Sequence, residues 1–180
     1  FILNFATPLL ERIGEGWETG ELAISHEHFA SECIVSFLSE KWRQMNIRKT
    51  GPRVLITTLP GERYSLGVLM CAMVASVSNS KIIYLGVDNP IEEILDATIK
   101  YKPKLITFSI SHEFDLVTSE KMLVKLRKII DKDISIITGG KGSPCNIQGV
   151  SYLPSFKEYY ETLIKLNYPE QNRENIKDAG

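Results

Sequence analysis

Metal and nucleophilic chemistry has few carriers in this chain: three histidines, His26, His28 and His112, and three cysteines, Cys33, Cys71 and Cys145, in 180 residues. The cysteines show neither CxxC nor Cys/His ligand spacing, so no zinc site or disulfide framework is expected, and they read as buried apolar fillers. No nucleophile stands beside a base partner, no carboxylates pair and no metal cluster is visible, which leaves independent catalysis unsupported. Two loop sequences offer more. The stretch Leu59-Pro60-Gly61-Glu62-Arg63-Tyr64-Ser65-Leu66-Gly67 follows an apolar run but holds neither GxGxxG nor a Walker lysine, so the usual nucleotide fingerprints are missing. Gly139-Gly140-Lys141-Gly142 ends another such run, where a flat ligand or a phosphate can approach the backbone closely, although a plain left-handed turn has the same composition. His112, in Ser111-His112-Glu113, is a reserve candidate for a ligand or metal; its simpler role is a loop histidine paired with Glu113 or Asp115.

The elements that must position these residues fall into two regimes, divided near Lys49 to Pro52. Before the break the periodicity is helical. One amphipathic stretch covers residues 1 to 14, and a second runs from about Ser25 to Asn46, with Phe29, Cys33, Ile34, Phe37, Leu38 and Trp42 at helical spacing. Two such helices cannot bury their stripe alone, so residues 1–48 read as an incomplete helical-bundle segment that needs partners upstream, in another subunit or in the following domain. After Pro52, short β-branched runs at Val54–Thr58, Lys81–Leu85, Leu105–Ile110 and Ile134–Thr138 alternate with helical patterns near 65–78, 91–100, 116–130 and 155–166. A fifth short strand is expected near Val150–Leu153. This succession predicts an α/β fold: a helical-bundle segment followed by a doubly wound, Rossmann-like (flavodoxin-like) five-stranded parallel sheet over 52–166, with a flexible tail over 167–180. In such a sheet ligands bind outside the carboxyl ends of the strands, in the loops Leu59–Gly67, Gly86–Pro90, Ser109–Phe114 and Gly139–Ser143.

Composition narrows the function classes. Lys plus Arg number 21 against 22 Asp plus Glu, a net charge of −1, without the basic excess of a self-sufficient nucleic-acid-binding domain. No apolar run approaches the roughly 18 to 20 residues of a membrane span, and no signal-peptide pattern opens the sequence, so a soluble cytoplasmic chain is expected. The chain opens on Phe1 rather than Met, inside a helical apolar pattern, which reads as a fragment with an earlier part elsewhere.

Taken together, these pieces resemble a known family. The loop from Glu62 to Gly67 falls where cobalamin-binding Rossmann-like domains carry Asp/Glu-x-His-x-x-Gly, Ser109 falls where they carry Ser-x-Leu, and Gly139-Gly140 falls on their paired glycines. A second resemblance is more specific. Trp17, nine residues, then Glu27-His28 is similar to the Trp-x9-Glu-His signature of CarH/LitR-type MerR-family light-responsive transcriptional regulators, which sense light through adenosylcobalamin. The resemblance covers roughly residues 9 to 166. It implies a cobalamin, with adenosylcobalamin as its expected form, held by Trp17, Glu27, His28, Glu62, Tyr64, Gly67, Ser109, Gly139 and Gly140, with Ser109 and the glycines lining the slot for the detached nucleotide tail. The indole of Trp17 offers a flat surface to the corrin or its upper group, and Glu27 and His28 are placed to hydrogen-bond an adenosyl sugar. Their plainer roles are a core anchor and a helix first turn. Two positions depart from the pattern: Tyr64 replaces the cobalt-ligating histidine, and Glu18 stands where the photoreceptors carry a histidine after the tryptophan.

The reading that follows is a non-enzymatic sensory domain. It binds a cobalamin, base-on or without a lower protein ligand, and controls a DNA-binding domain upstream of this chain or its homo-oligomerisation. The segment itself is not expected to touch nucleic acid or membrane. Two alternatives keep the fold: a degenerate, occluded site in an interaction module, or a cavity for another tetrapyrrole, haem or a bilin, since Tyr64 suits ferric iron better than cobalt. A methyl-carrying corrinoid protein is a further alternative, opposed by the missing lower histidine and by the Trp-x9-Glu-His signature.

Overall fold

The structure, a computed structural model, describes residues 23–168 together with Pro8, Arg12 and Thr19. Trp17, the rest of residues 1–22 and residues 169–180 lie outside the described residues, and with them the expected first helix and most of the tail. Helix α1 (Ile24–Asn46) leads into β1 (Arg53–Thr57), α2 (Ser65–Val77), β2 (Lys81–Gly86), α3 (Ile91–Tyr101), β3 (Leu105–Ser109), α4 (Leu116–Ile129), β4 (Ser135–Gly139), β5 (Ser151–Tyr152) and α5 (Phe156–Asn167). The five strands are parallel in the order β2-β1-β3-β4-β5, the flavodoxin-like arrangement expected from the alternation of patterns.

The strands are apolar without alternation because both faces are covered. Leu38 and Trp42 of α1, Val54 and Ile56 of β1, most of α2, Ile137 of β4, and Tyr159 and Leu163 of α5 form one core. Leu55, Ile106, Phe108 and Ile136 pack on the other face with Ile94 of α3 and Leu123 and Leu126 of α4. Helix α2 is apolar nearly all round, as a helix held between a sheet and another helix must be. The C-terminal half of α1 therefore belongs to the first core. Its earlier turns contribute Ile34 and Val35 at the edge of that core, and Phe29 is 73% exposed among the described residues.

Helix α1 starts at Ile24 after an extended Ala23, within one residue of the expected start. Three expectations need correction. The fifth strand has only two residues, Ser151 and Tyr152. Asn167 belongs to the fold rather than the tail, since its amide donates to Ser80 Oγ and to the Leu163 carbonyl. Of the three cysteines only Cys71 is buried; Cys33 and Cys145 are exposed. No helix among the described residues is long and apolar enough to cross a membrane.

Candidate functional site

Strand order reverses direction between β1 and β3, and the loops leaving these two strands part there to opposite faces of the sheet. A single side chain ties them together. Glu62, on the β1–α2 loop and only 4% exposed, accepts the Tyr64 backbone N–H on Oε1 at 2.8 Å. Its other oxygen accepts from the Ser111 backbone N–H at 2.8 Å and from the Ser111 hydroxyl at 2.7 Å. The loop is also fixed from below. The Thr58 hydroxyl donates to the Glu62 carbonyl and accepts from the Asp88 N–H, while the Asp88 carboxylate accepts from the Gly61 N–H and pairs with Arg63 at 3.0 Å. The Gly61 amide first, then the Arg63 guanidinium, hold the Asp88 carboxyl below its ordinary value.

Beside this clasp lies a cavity of about 500 Å3, walled by α2, the ends of β3 and β4, and the start of α5. Its interior is mostly apolar, with Leu66, Met70, Cys71, Ile137, Leu153 and Phe156. Period-two alternation along β3 puts Thr107 and Ser109 on this face. The Thr107 hydroxyl donates to the Tyr159 hydroxyl at 3.1 Å, and burial pushes the Tyr159 phenol well above its ordinary value. Burial likewise pushes the Cys71 thiol up to about 12, which keeps it protonated and makes it a wall rather than a nucleophile. The rim carries Tyr64, Ser111, His112 and Lys141.

Two glycines shape the wall. A Cβ on Gly67 would strike the Ser109 hydroxyl, so this helical glycine is what lets α2 lie against the end of β3. Gly140 has a φ of +101° and meets the Ile110 carbonyl where a Cβ would stand, which explains the glycine pair after β4. An apolar slot with a polar rim and glycine-lined walls fits a flat heteroaromatic group with a polar tail.

The structure brings together six of the nine residues named from sequence: Glu62 as the clasp, Tyr64, Gly67, Ser109, Gly139 and Gly140 on the cavity. Tyr64 precedes the first turn of α2, is 53% exposed and lines the cavity. Trp17 lies outside the described residues, Glu27 is described only as part of α1, and His28 is exposed on the same helix. The expected pairing of His112 fails for Asp115, whose carboxylate instead caps α4 through the Thr118 N–H at 2.7 Å. Sequence reading missed Ser111, Thr107 and Tyr159. The alternation Thr107, Ser109, Ser111 was the available signal for the first two.

Comparisons with known proteins bear on the same region. Residues 1–39, which contain Trp17, Glu27 and His28, match the family model described as B12 binding domain. The chain is 25% identical over 133 residues to the HTH-type transcriptional repressor CarH of Myxococcus xanthus, covering 74% of this chain and 44% of that protein. It is also 25% identical over 136 residues to the trimethylamine corrinoid protein of Methanosarcina barkeri, covering 73% of this chain and 63% of that protein. The chain thus spans less than two thirds of either relative. The fold matches the monomethylamine corrinoid protein of Methanosarcina barkeri with a TM-score of 0.65 at 14% identity, over 87% of this chain and 77% of that one. A cobalamin-binding protein from Desulfitobacterium hafniense DCB-2 matches with a TM-score of 0.53 at 19% identity, over 85% of this chain and 75% of that one. The chain is therefore similar to a B12 binding domain over residues 1–39 and, along most of its length, to CarH and to corrinoid proteins, and it shares the Rossmann-like fold of the monomethylamine corrinoid protein.

Proposed function

We propose that this chain is a sensory domain that binds a cobalamin, with adenosylcobalamin as its light-responsive form, between the segment of residues 1–48 and the carboxyl edge of the sheet. The observation that carries the reading is the cavity of about 500 Å3 at the β1/β3 switch point, open at a polar rim. Its size lies within the roughly 300–1,000 Å3 of small-molecule sites. The match of residues 1–39 to B12 binding domains and the similarity to CarH support the regulatory form.

In this reading Gly67, Ser109, Gly139 and Gly140 admit the nucleotide tail into the apolar slot, and Lys141 on the rim offers a cation to its phosphate. Glu62 keeps the two switch-point loops at a fixed separation. Trp17, Glu27 and His28 would hold the group carried on the corrin. When bound, adenosylcobalamin supplies a cobalt–carbon bond that light can cleave. A change at the bound group would reach the rest of the chain through α1, whose C-terminal half is anchored by Leu38 and Trp42 while Phe29 in its earlier turns is exposed. Helix and sheet, joined by a short linker, form a two-state element that controls an upstream DNA-binding domain or homo-oligomerisation.

The open cavity argues against a degenerate, occluded site. Similarity to the trimethylamine corrinoid proteins favours a second reading, a corrinoid carrier that serves a partner enzyme. Absorption spectra and size-exclusion profiles of the chain incubated with adenosylcobalamin in the dark, taken before and after green illumination, separate the two. Corrin bands and oligomeric state that both change with light support the sensor. Bound corrin with an oligomeric state indifferent to light supports the carrier, and haem or biliverdin bound in its place supports another tetrapyrrole.

A further inference from the structure

We propose that the imidazole of His112, rather than the phenol of Tyr64, is the protein ligand to the cobalt of a bound corrinoid. The inference rests on the corrinoid reading above. If the cavity holds the nucleotide base, the cobalt face that this base would cover is vacated, and a protein donor to it would come from the rim. The rim offers Tyr64, Ser111, His112 and Lys141. A phenol or an ammonium must lose its proton before it coordinates, and an aliphatic hydroxyl is a weak donor. A neutral imidazole needs no deprotonation and is the commonest metal ligand among side chains.

The surroundings of His112 agree with that role. It is exposed at the switch point, and its imidazole makes no hydrogen bond or ion pair with the described residues, so both ring nitrogens are available. The backbone beneath it is fixed. Ser111 is clasped by Glu62 through its N–H and hydroxyl, the Phe114 N–H closes a turn onto the Ser111 carbonyl at 3.3 Å, and the Gly142 N–H donates to the Ile110 carbonyl. The clasped loop fixes the backbone that carries His112, and its exposed side chain is free to turn toward an external ligand. Glu62 thereby becomes a positioning residue for His112.

The test is electron paramagnetic resonance of the full chain loaded with cobalamin and reduced to the cobalt(II) state in the dark, with protein made from ordinary or nitrogen-15 histidine. Coordination by a histidine nitrogen splits each cobalt line into a triplet that becomes a doublet with labelled histidine. The cofactor's own base gives a triplet that labelling leaves unchanged. The expected result is a doublet in labelled wild type, lost in His112→Ala and kept in Tyr64→Phe, with corrin retained by all three. A triplet insensitive to labelling, an absence of nitrogen splitting, or a doublet that survives His112→Ala overturns the assignment while leaving cobalamin binding intact. Failure of wild type to retain any corrin overturns the corrinoid reading, and the ligand assignment with it.

Discussion

Glu62 and Ser111, 49 positions apart, are joined by two hydrogen bonds to one carboxylate oxygen, and the bond pair bridges the two loops that diverge at the switch point of the sheet. The other oxygen holds the first turn leading into α2. In Glu62→Gln an amide donor must face either the Tyr64 or the Ser111 N–H, leaving a buried donor unsatisfied. The expected loss is about 1–3 kcal/mol, read by urea unfolding at unchanged slope. A change within about 0.5 kcal/mol, the usual scatter for surface substitutions, would show that the loops hold their places independently.

Gly67 and Ser109 form a second coupled pair. Alanine is intrinsically favoured over glycine in a helix by about 1 kcal/mol, yet a Cβ at position 67 meets the Ser109 hydroxyl. Gly67→Ala is therefore expected to destabilise in the wild-type background and to recover part of that loss when combined with Ser109→Ala. A double-mutant cycle should give a coupling of about 0.5–3 kcal/mol. Additive effects would contradict the contact.

The pH dependence of stability near the first loop follows from Asp88. Its folded value is depressed by the Gly61 amide and by Arg63, so its contribution is present above the ordinary carboxylate value of 3.8 and is lost as pH falls from there through the folded value. Asp88→Asn is expected to lower stability at neutral pH and to flatten the decline below that value. Thermal melts across the acid range check both; a parallel shift at every pH would contradict the linkage.

The three thiols should separate in reactivity. Cys33 and Cys145 are exposed, while Cys71 is buried with its thiol pushed up to about 12. A disulfide reagent at neutral pH is expected to consume two thiols rapidly in the native chain and the third only on unfolding. Rapid reaction of all three would mean that the cavity wall opens more readily than the structure implies.

Most of the architecture was legible because both levels of pattern agree. Val54-Leu55-Ile56 is apolar on both faces and too short for a helix, and the helical stretches between such runs dictate a parallel sheet. The carboxyl edge, and with it the loops of Glu62, Ser109 and Gly139, follows from topology alone. The clasp did not follow, because a bond between positions 62 and 111 exists only once β1 and β3 lie side by side. The exposure of Cys33 and Cys145 was missed because an apolar residue type says nothing about which side of a helix or loop it faces.

Filling the cavity beside Ser109 shows whether it holds the ligand. Wild type and Cys71→Phe, matched for folding by circular dichroism and melting temperature, are incubated with adenosylcobalamin in the dark, desalted and examined by absorption. Near-stoichiometric corrin bands are expected in wild type, and their loss in the filled variant. Equal retention by both, or none by wild type, would contradict binding in this cavity.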